Sequence, residues 1–297
     1  MKTTTNKDSD KNFALEIKKQ EDELRLGDAD LLVEATSLPH LVDDRSSSEK
    51  MSEKRGLNSG GPKPFQFVPL QMGGNGRTHM VSEGSRLMME EVTLDDLKFM
   101  TCLFYSKAFE DKTLDKFIRS HEDPHAERFA LWIHQKLSGS TVWDDERRAR
   151  DMTPVKIARG IEHVVHDRTS AHAGAWYSPK RPENEIGRHF NLEECRVWMR
   201  LHFWALRESG ITEKSPSFAD YYMRYIGHFV AVYERSAPKF ARESFRWSAN
   251  PDNIHEYEKQ NMRVMKDVLG LSRVEAESQL PQHELEDYEW PYNQTAE

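Results

Sequence analysis

The sequence predicts an all-α protein. Apolar residues recur at helical spacing between residues 93 and 240, as expected of helices that bury one face. Most of these segments begin at a residue that caps helices well and end at Gly or Pro. Strand patterns are almost absent. These observations favour one helical domain, with the rest of the chain packed on it or trailing from it.

The chain divides into four parts by composition. Residues 1–60 are rich in Ser, Lys, Asp and Glu, and predict a disordered polar tail because they cannot bury enough apolar surface. Residues 61–92 hold short apolar pieces between Pro and Gly, which predict an extended strap. Residues 93–240 form the predicted helical domain. Residues 241–297 predict a C-terminal helical extension.

Charge and composition exclude several classes of function. The formal net charge of −8 argues against general nucleic-acid binding, which needs a basic surface. No apolar run approaches the ~20 residues of a membrane helix, and the first residues lack the apolar core of a secretory signal. The two cysteines, Cys102 and Cys195, suggest neither a zinc site nor a disulfide framework. We therefore expect a cytoplasmic protein without membrane or nucleic-acid partners.

The first two predicted helices have clear boundaries. Thr93 caps a helix whose first turn is acidic and whose inner face includes Phe104. On this helix Tyr105 points inward, and a buried phenol usually needs a polar partner. Asp123 is predicted to cap the second helix, which Gly139 ends.

Further helices are predicted towards the C-terminus. Residues 153–176 show a helical pattern that stops at the segment SPKRP. Asn191 is predicted to cap a helix with Cys195 and Trp198 on its inner face. The last two predicted helices cover residues 217–238 and 250–270.

The spacing of several elements resembles that of one protein family. Residues 104–139 keep the spacing of the front half of the truncated haemoglobins, the two-over-two helical globins, and the second group is the most similar. The later segment ECRVWMRL resembles the part of that family that places a Trp over the haem edge. The residues that carry the resemblance are Phe104, Tyr105, Asp111, Leu114, Arg128, Phe129, Ser138, Gly139, Trp143 and Trp198.

The resemblance implies a fold and a function. The fold would be a two-over-two helical sandwich with extra helices, and the cofactor would be haem b. The protein would bind dioxygen, nitric oxide or a related diatomic ligand at the haem iron. Nitric oxide dioxygenase or peroxidase-like turnover would be compatible with such a site, since a fold alone does not decide the activity.

Two histidines are candidates for the proximal iron ligand, for which neutral imidazole is well suited. His172 has small neighbours that would let a flat macrocycle approach, but it requires an inserted loop, for which residues 177–187 are suitable. His189 lies nearer to Trp198 than the ligand does in the family. His172 is preferred, and His189 remains the alternative.

The resemblance also implies a distal side. Tyr105, His125 and Trp198 would donate hydrogen bonds to a bound ligand, and Phe117 and Phe129 would sandwich the haem ring. Basic residues of the inserted segment, Lys180, Arg181 and Arg188, are candidates for pairing with the haem propionates.

Two alternatives come from other classes of protein. A haem-free globin fold would act as a scaffold or as a subunit of an assembly, with the acidic, aromatic C-terminal segment docking on a protein partner. A helical hydrolase with a Cys/His pair is less favoured, because Cys102 and Cys195 are both predicted on inner helix faces and would be inert core residues.

Overall fold

The computed structural model describes residues 7–28, 64–74, 78–234 and 237–261. Within these ranges the protein is mostly helical, as predicted, with eleven α-helices and one two-stranded hairpin. The helices are α1 (Lys7–Asp28), α2 (Glu83–Glu91), α3 (Leu94–Ala108), α4 (His125–Ser138), α5 (Val142–Ala149), α6 (Arg168–Trp176), α7 (Leu192–Glu208), α8 (Ile211–Lys214), α9 (Pro216–Glu234), α10 (Ala237–Ala249) and α11 (Pro251–Lys259). Strands β1 (Val155–Lys156) and β2 (Glu162–His163) pair antiparallel.

The larger of two hydrophobic clusters, called here the main core, holds most of the helices together. Helix α3 packs on α4 and on α7, while α10 packs on α7 and α9. Residues of α3, α4, α7 and α9 that are almost fully buried fill the centre, among them Leu97, Phe104, Ile133, Phe203 and Phe218. Burying a side chain of this size contributes about 1.5–3 kcal/mol. This cluster fixes the position of α3, α4 and α7.

The smaller hydrophobic cluster, called here the second core, is built around α6. Phe13 and Ile17 of α1 pack against Ile157 of the hairpin and Trp176 of α6. Phe190, just before α7, packs against both cores. The helix α6 is therefore supported mainly by α1 and the hairpin, and not by the main core.

Helix α1 corrects the prediction of a disordered tail over residues 1–60. Its residues Phe13 and Ile17 are one helical turn apart and nearly buried, and the Phe13 ring meets the Tyr177 ring edge-on at 4.8 Å between centroids. The average composition of the segment concealed this short apolar stripe. The remainder of the predicted tail, residues 1–6 and 29–60, lies outside the described residues.

The hairpin corrects the helix predicted over residues 153–176. Arg159 and Gly160 have φ of 59° and 71°, which is left-handed backbone that turns the chain between the two strands. Helix α6 begins only after Asp167, whose carboxylate accepts a hydrogen bond of 2.7 Å from the Ser170 amide. The β-branched residues of this segment follow strand preference, and the helical spacing among them was coincidental.

Three further boundaries differ from prediction. Pro124, and not Asp123, occupies the cap position of α4. The predicted strap over 61–92 contains the helix α2. Residues 64–74 before it have no helix and lie against α9. There the Gln66 amide donates a hydrogen bond of 2.7 Å to Ser217 Oγ. The division between residues 240 and 241 cuts α10, because Phe240 and Phe245 both belong to the main core.

Candidate functional site

A cavity of about 450 Å³ lies where the two hydrophobic cores meet. That volume is in the range of small-molecule and cofactor sites. Helices α3, α4, α7 and α9 supply the wall on the side of the main core, and α5, α6, the hairpin and residues 114–123 supply most of the rest. Its aromatic wall residues are Phe104, Tyr105, Phe117, Phe129, Trp132, Trp143, Phe190, Trp198 and Phe229. Most of the cavity surface is apolar, but its lining also includes charged side chains, the acidic ones being Asp123, Asp151, Asp167 and Glu194.

The structure brings six of the seven predicted site residues to this cavity. They are Tyr105, Phe117, His125, Phe129, His172 and Trp198, which come from α3, α4, α6, α7 and the turn before α4. These residues are spread over more than 90 positions of the sequence, so only the tertiary structure places them together. The seventh, His189, does not line the cavity. It is exposed and stacks on the Trp176 ring at 4.0 Å between centroids.

His172 is held on the α6 side of the cavity. Its neighbours along the helix on the same wall are Ala171, Gly174 and Ala175, which leave room close to the helix backbone. The ring meets Phe190 edge-on at 5.5 Å between centroids. Burial, and then the nearby charge of Arg168, lower the pKa of His172 to about 3. The imidazole is therefore neutral at physiological pH, which is the form that binds metals.

Tyr105 lies on the α3 side. Its ring packs edge-on against Phe104 at 5.0 Å between centroids and stacks with the His125 ring at 5.4 Å. Burial raises the pKa of its phenol, so the hydroxyl keeps its proton and acts as a hydrogen-bond donor. Tyr105 and His172 both retain some accessible surface, as expected of side chains that line a cavity.

His125 has a geometry that limits its role. Its Nε2 donates a hydrogen bond of 2.9 Å to the Ser120 carbonyl, so that nitrogen carries the hydrogen. Burial lowers the pKa of the ring, and in the neutral form Nδ1 is therefore an acceptor only. The distal donor role predicted for His125 thus conflicts with its hydrogen bond, whereas Tyr105 keeps a phenol hydrogen to donate.

Trp198 and Phe129 form the part of the wall in front of the main core. Their rings are 5.9 Å apart between centroids, and both pack against His202, which lies behind them and is fully buried. Phe117 lies on a 3₁₀ turn (Asp115–Phe117) and meets Phe190 edge-on at 5.0 Å. The apolar rings thus surround the space between Tyr105 and His172 on several sides.

Basic groups at the cavity differ from those that the sequence suggested. Lys180 pairs with Asp115 at 2.9 Å, Arg188 is exposed, and none of the three predicted residues lines the cavity. Arg181 is buried and donates to the Trp176 and Arg188 carbonyls. The arginines that do line the cavity are Arg119, Arg128, Arg150 and Arg168. These arginines were not identified from the sequence, because charge alone does not show which arginine side chains line the cavity.

Only one of the two cysteines lines the cavity. Cys195 is buried at the cavity wall, as predicted for a small core residue, but Cys102 is exposed on the outer face of α3. Among the described residues, no three His, Cys, Asp or Glu side chains are grouped so as to bind a metal ion directly.

The fold and site can be set against known proteins. No family model, curated protein or solved structure matches the chain. Every helix among the described residues is too short or too polar to traverse a bilayer.

Proposed function

We propose that the chain is a haem-binding protein of the two-over-two globin type that binds dioxygen or another diatomic ligand. The observation that carries the proposal is the cavity between the two cores, with a neutral imidazole, His172, on the α6 wall and a phenol, Tyr105, on the α3 wall. A planar apolar cofactor in this space would join two hydrophobic clusters that otherwise share few side chains.

The arrangement of helices supports the globin-type sandwich. Helix α3 packs on α4 and on α7, and α7 packs on α9 and α10, as expected if one pair of helices lies over another. Tyr105 and Phe104 lie on α3, His125 and Phe129 on α4, and Trp198 on α7. This order along the chain is the order that the resemblance to truncated haemoglobins implies, with His172 on the helix between α4 and α7.

The residues present are chemically suited to haem. The porphyrin supplies four nitrogen ligands, so the chain needs to supply one imidazole, for which His172 is placed. The aromatic rings around the cavity match the faces of a flat macrocycle. Arg168 lines the cavity and would pair with a carboxylate of haem b, whereas the guanidinium groups of Arg119 and Arg150 already pair with Asp123 and Glu146.

Each residue has a definable task in this proposal. A bound haem would supply an iron centre that binds a diatomic ligand. His172 would hold the cofactor from one side, and the small residues of α6 would let it approach. Tyr105 would donate a hydrogen bond into the space on the other side, where negative charge on the ligand is stabilised. Phe129 and Trp198 would exclude water from that space.

Haem titration of the purified full-length protein tests the proposal. We expect a sharp Soret band at one haem per chain. Ala175→Phe would place a large ring in the cavity beside His172 and abolish the Soret band. Leu87→Phe, at an exposed position on α2, would leave the band unchanged. If the wild-type protein gives no sharp band, the haem proposal fails and the haem-free scaffold is favoured.

A further inference from the structure

Two buried tyrosine–histidine pairs lie behind the cavity wall, and the proposed site does not use them. The first pair joins Tyr222 of α9 to His202 of α7, with 2.6 Å between Oη and Nε2. The second joins Tyr221 to His79, also with 2.6 Å between Oη and Nε2. All four side chains are nearly or fully buried. In each pair the hydrogen bond satisfies the phenol and one ring nitrogen, and the two tyrosines are consecutive residues of α9.

Aromatic rings connect these pairs to the cavity without interruption. Trp198, on the cavity wall, stacks on His202 at 4.8 Å between centroids. Tyr222 then lies 6.4 Å from Tyr225, whose ring meets His79 at 4.7 Å. These rings, together with Tyr221, are called here the tyrosine–histidine relay. Trp132, also on the wall, gives a second entry at 5.9 Å from Tyr225.

We propose that the tyrosine–histidine relay carries oxidising equivalents away from the cavity, with Tyr222 as the first residue to hold a radical. The proposal rests on the proposed function, because its natural oxidant is haem that has reacted with hydrogen peroxide. Reduction of one hydrogen peroxide to two water molecules takes two protons from solvent and would leave the haem protein short of two electrons. Tyr222 would return one of them through Trp198 while its phenolic proton passes to His202 Nε2, leaving a neutral tyrosyl radical; an external reductant would supply the other.

The environment of the first pair suits this step. A phenol that has lost an electron is a very strong acid, so it must release its proton to a group already in contact. His202 is that group. Burial lowers its pKa to about 3, so its imidazole is neutral and one ring nitrogen can accept a proton. Burial also raises the pKa of Tyr222, so the phenol is protonated until it is oxidised. The proton stays within one hydrogen bond, so after the electron has left, the pair holds a neutral tyrosyl radical and a protonated His202.

The second pair repeats the arrangement further from the cavity. Burial, with the charges of His228 and Lys136, lowers the pKa of His79 to about 4, so this imidazole is also neutral. Tyr221 lies 5.6 Å from the guanidinium of Arg224, which is partly exposed. The relay therefore leads from the cavity towards the surface along α9, where an external reductant can reach it.

The direct test is electron paramagnetic resonance of the haem-loaded full-length protein, freeze-quenched after one equivalent of hydrogen peroxide. We expect a tyrosyl signal that narrows when the protein contains ring-deuterated tyrosine. Tyr222→Phe should remove most of the early signal. Tyr257→Phe should leave it unchanged, because Tyr257 is a buried tyrosine bonded to Asp111 and lies outside the relay. His202→Gln should retain the fold and reduce the yield of the radical.

A second arm separates this inference from haem binding. Haem-free protein is oxidised by a photogenerated one-electron oxidant, and the radical is assigned with the same variants. A radical on Tyr222 supports the relay even if no haem binds. If a folded Tyr222→Phe protein gives the wild-type signal in this arm, the relay is overturned, whatever the Soret spectrum shows.

Discussion

Tyr105 and His172 line one cavity from helices that belong to different hydrophobic cores. Tyr105 lies on α3, which is fixed by the main core, and His172 lies on α6, which is supported by α1 and the hairpin. The distance between the two side chains is therefore set by how the cores are joined and not by one rigid helix pair. This relationship explains why a cofactor between them would contribute to folding as well as to function.

Two of the three distal candidates, Tyr105 and His125, should differ in their effect on dioxygen release. Tyr105→Phe removes the phenol donor, so we expect dissociation to become faster by about tenfold for each 1.4 kcal/mol of hydrogen-bond energy lost. His125→Gln should have a smaller effect, because the His125 Nε2 hydrogen is already donated to the Ser120 carbonyl. Stopped-flow displacement of dioxygen by carbon monoxide measures both rates. An unchanged rate in Tyr105→Phe would mean that its hydroxyl does not reach the ligand.

Acidification should destabilise the protein through its buried imidazoles. The pKa of His79 is about 4 in the folded state and near 6.5 in the unfolded chain, so protons bind preferentially to the unfolded state between these values. The contribution of His79 to the free energy of unfolding is fully present above pH 6.5. It is lost as the pH falls towards 4, by up to about 1.4 kcal/mol per pH unit.

The variant His79→Gln checks this dependence. Gln keeps a polar group beside Tyr221 but does not titrate, so the loss of stability between pH 6.5 and 4 should become shallower. Urea unfolding at several pH values gives the comparison, with His189→Gln, at an exposed position, as the control. If the free energy of unfolding changes with pH equally in wild type and His79→Gln, His79 is not the source of the acid destabilisation.

Helix α1 should be needed to support α6. Phe13→Ala removes a ring that packs against Tyr177 and lies under the Arg159 guanidinium, and should cost about 2 kcal/mol of packing. We expect faster amide hydrogen exchange in residues 12–22 and in α6, and faster haem loss. Leu15→Ala, on the exposed face of the same helix, is the matched control. Identical exchange in the two variants would show that α1 does not support α6.

Much of the helical architecture could be predicted from the sequence because caps and apolar spacing are local signals. Thr93 and Asn191 cap α3 and α7 as predicted, and Gly139 ends α4 with φ of 78°. The hairpin before α6 was missed because Arg159 must adopt left-handed backbone, which no simple pattern indicates. Helix α1 was missed because its apolar stripe has only a few residues within a very polar segment.

The candidate site was predictable only in part. The resemblance placed Tyr105, Phe129 and Trp198 together, and the structure brings them to one cavity. The choice between His172 and His189 depended on how the inserted segment folds, which spacing cannot reveal. The hydrogen bond between His202 and Tyr222 could not be predicted, because it joins residues of two helices that are 20 positions apart in the sequence.

The most direct measurement is the visible absorption spectrum of three haem-reconstituted proteins: wild type, His172→Ala and His189→Ala. The account predicts a sharp Soret band in wild type and His189→Ala that His172→Ala loses and external imidazole restores. A band that survives in His172→Ala with unchanged position and intensity would contradict the assignment of His172 as the residue that holds the haem.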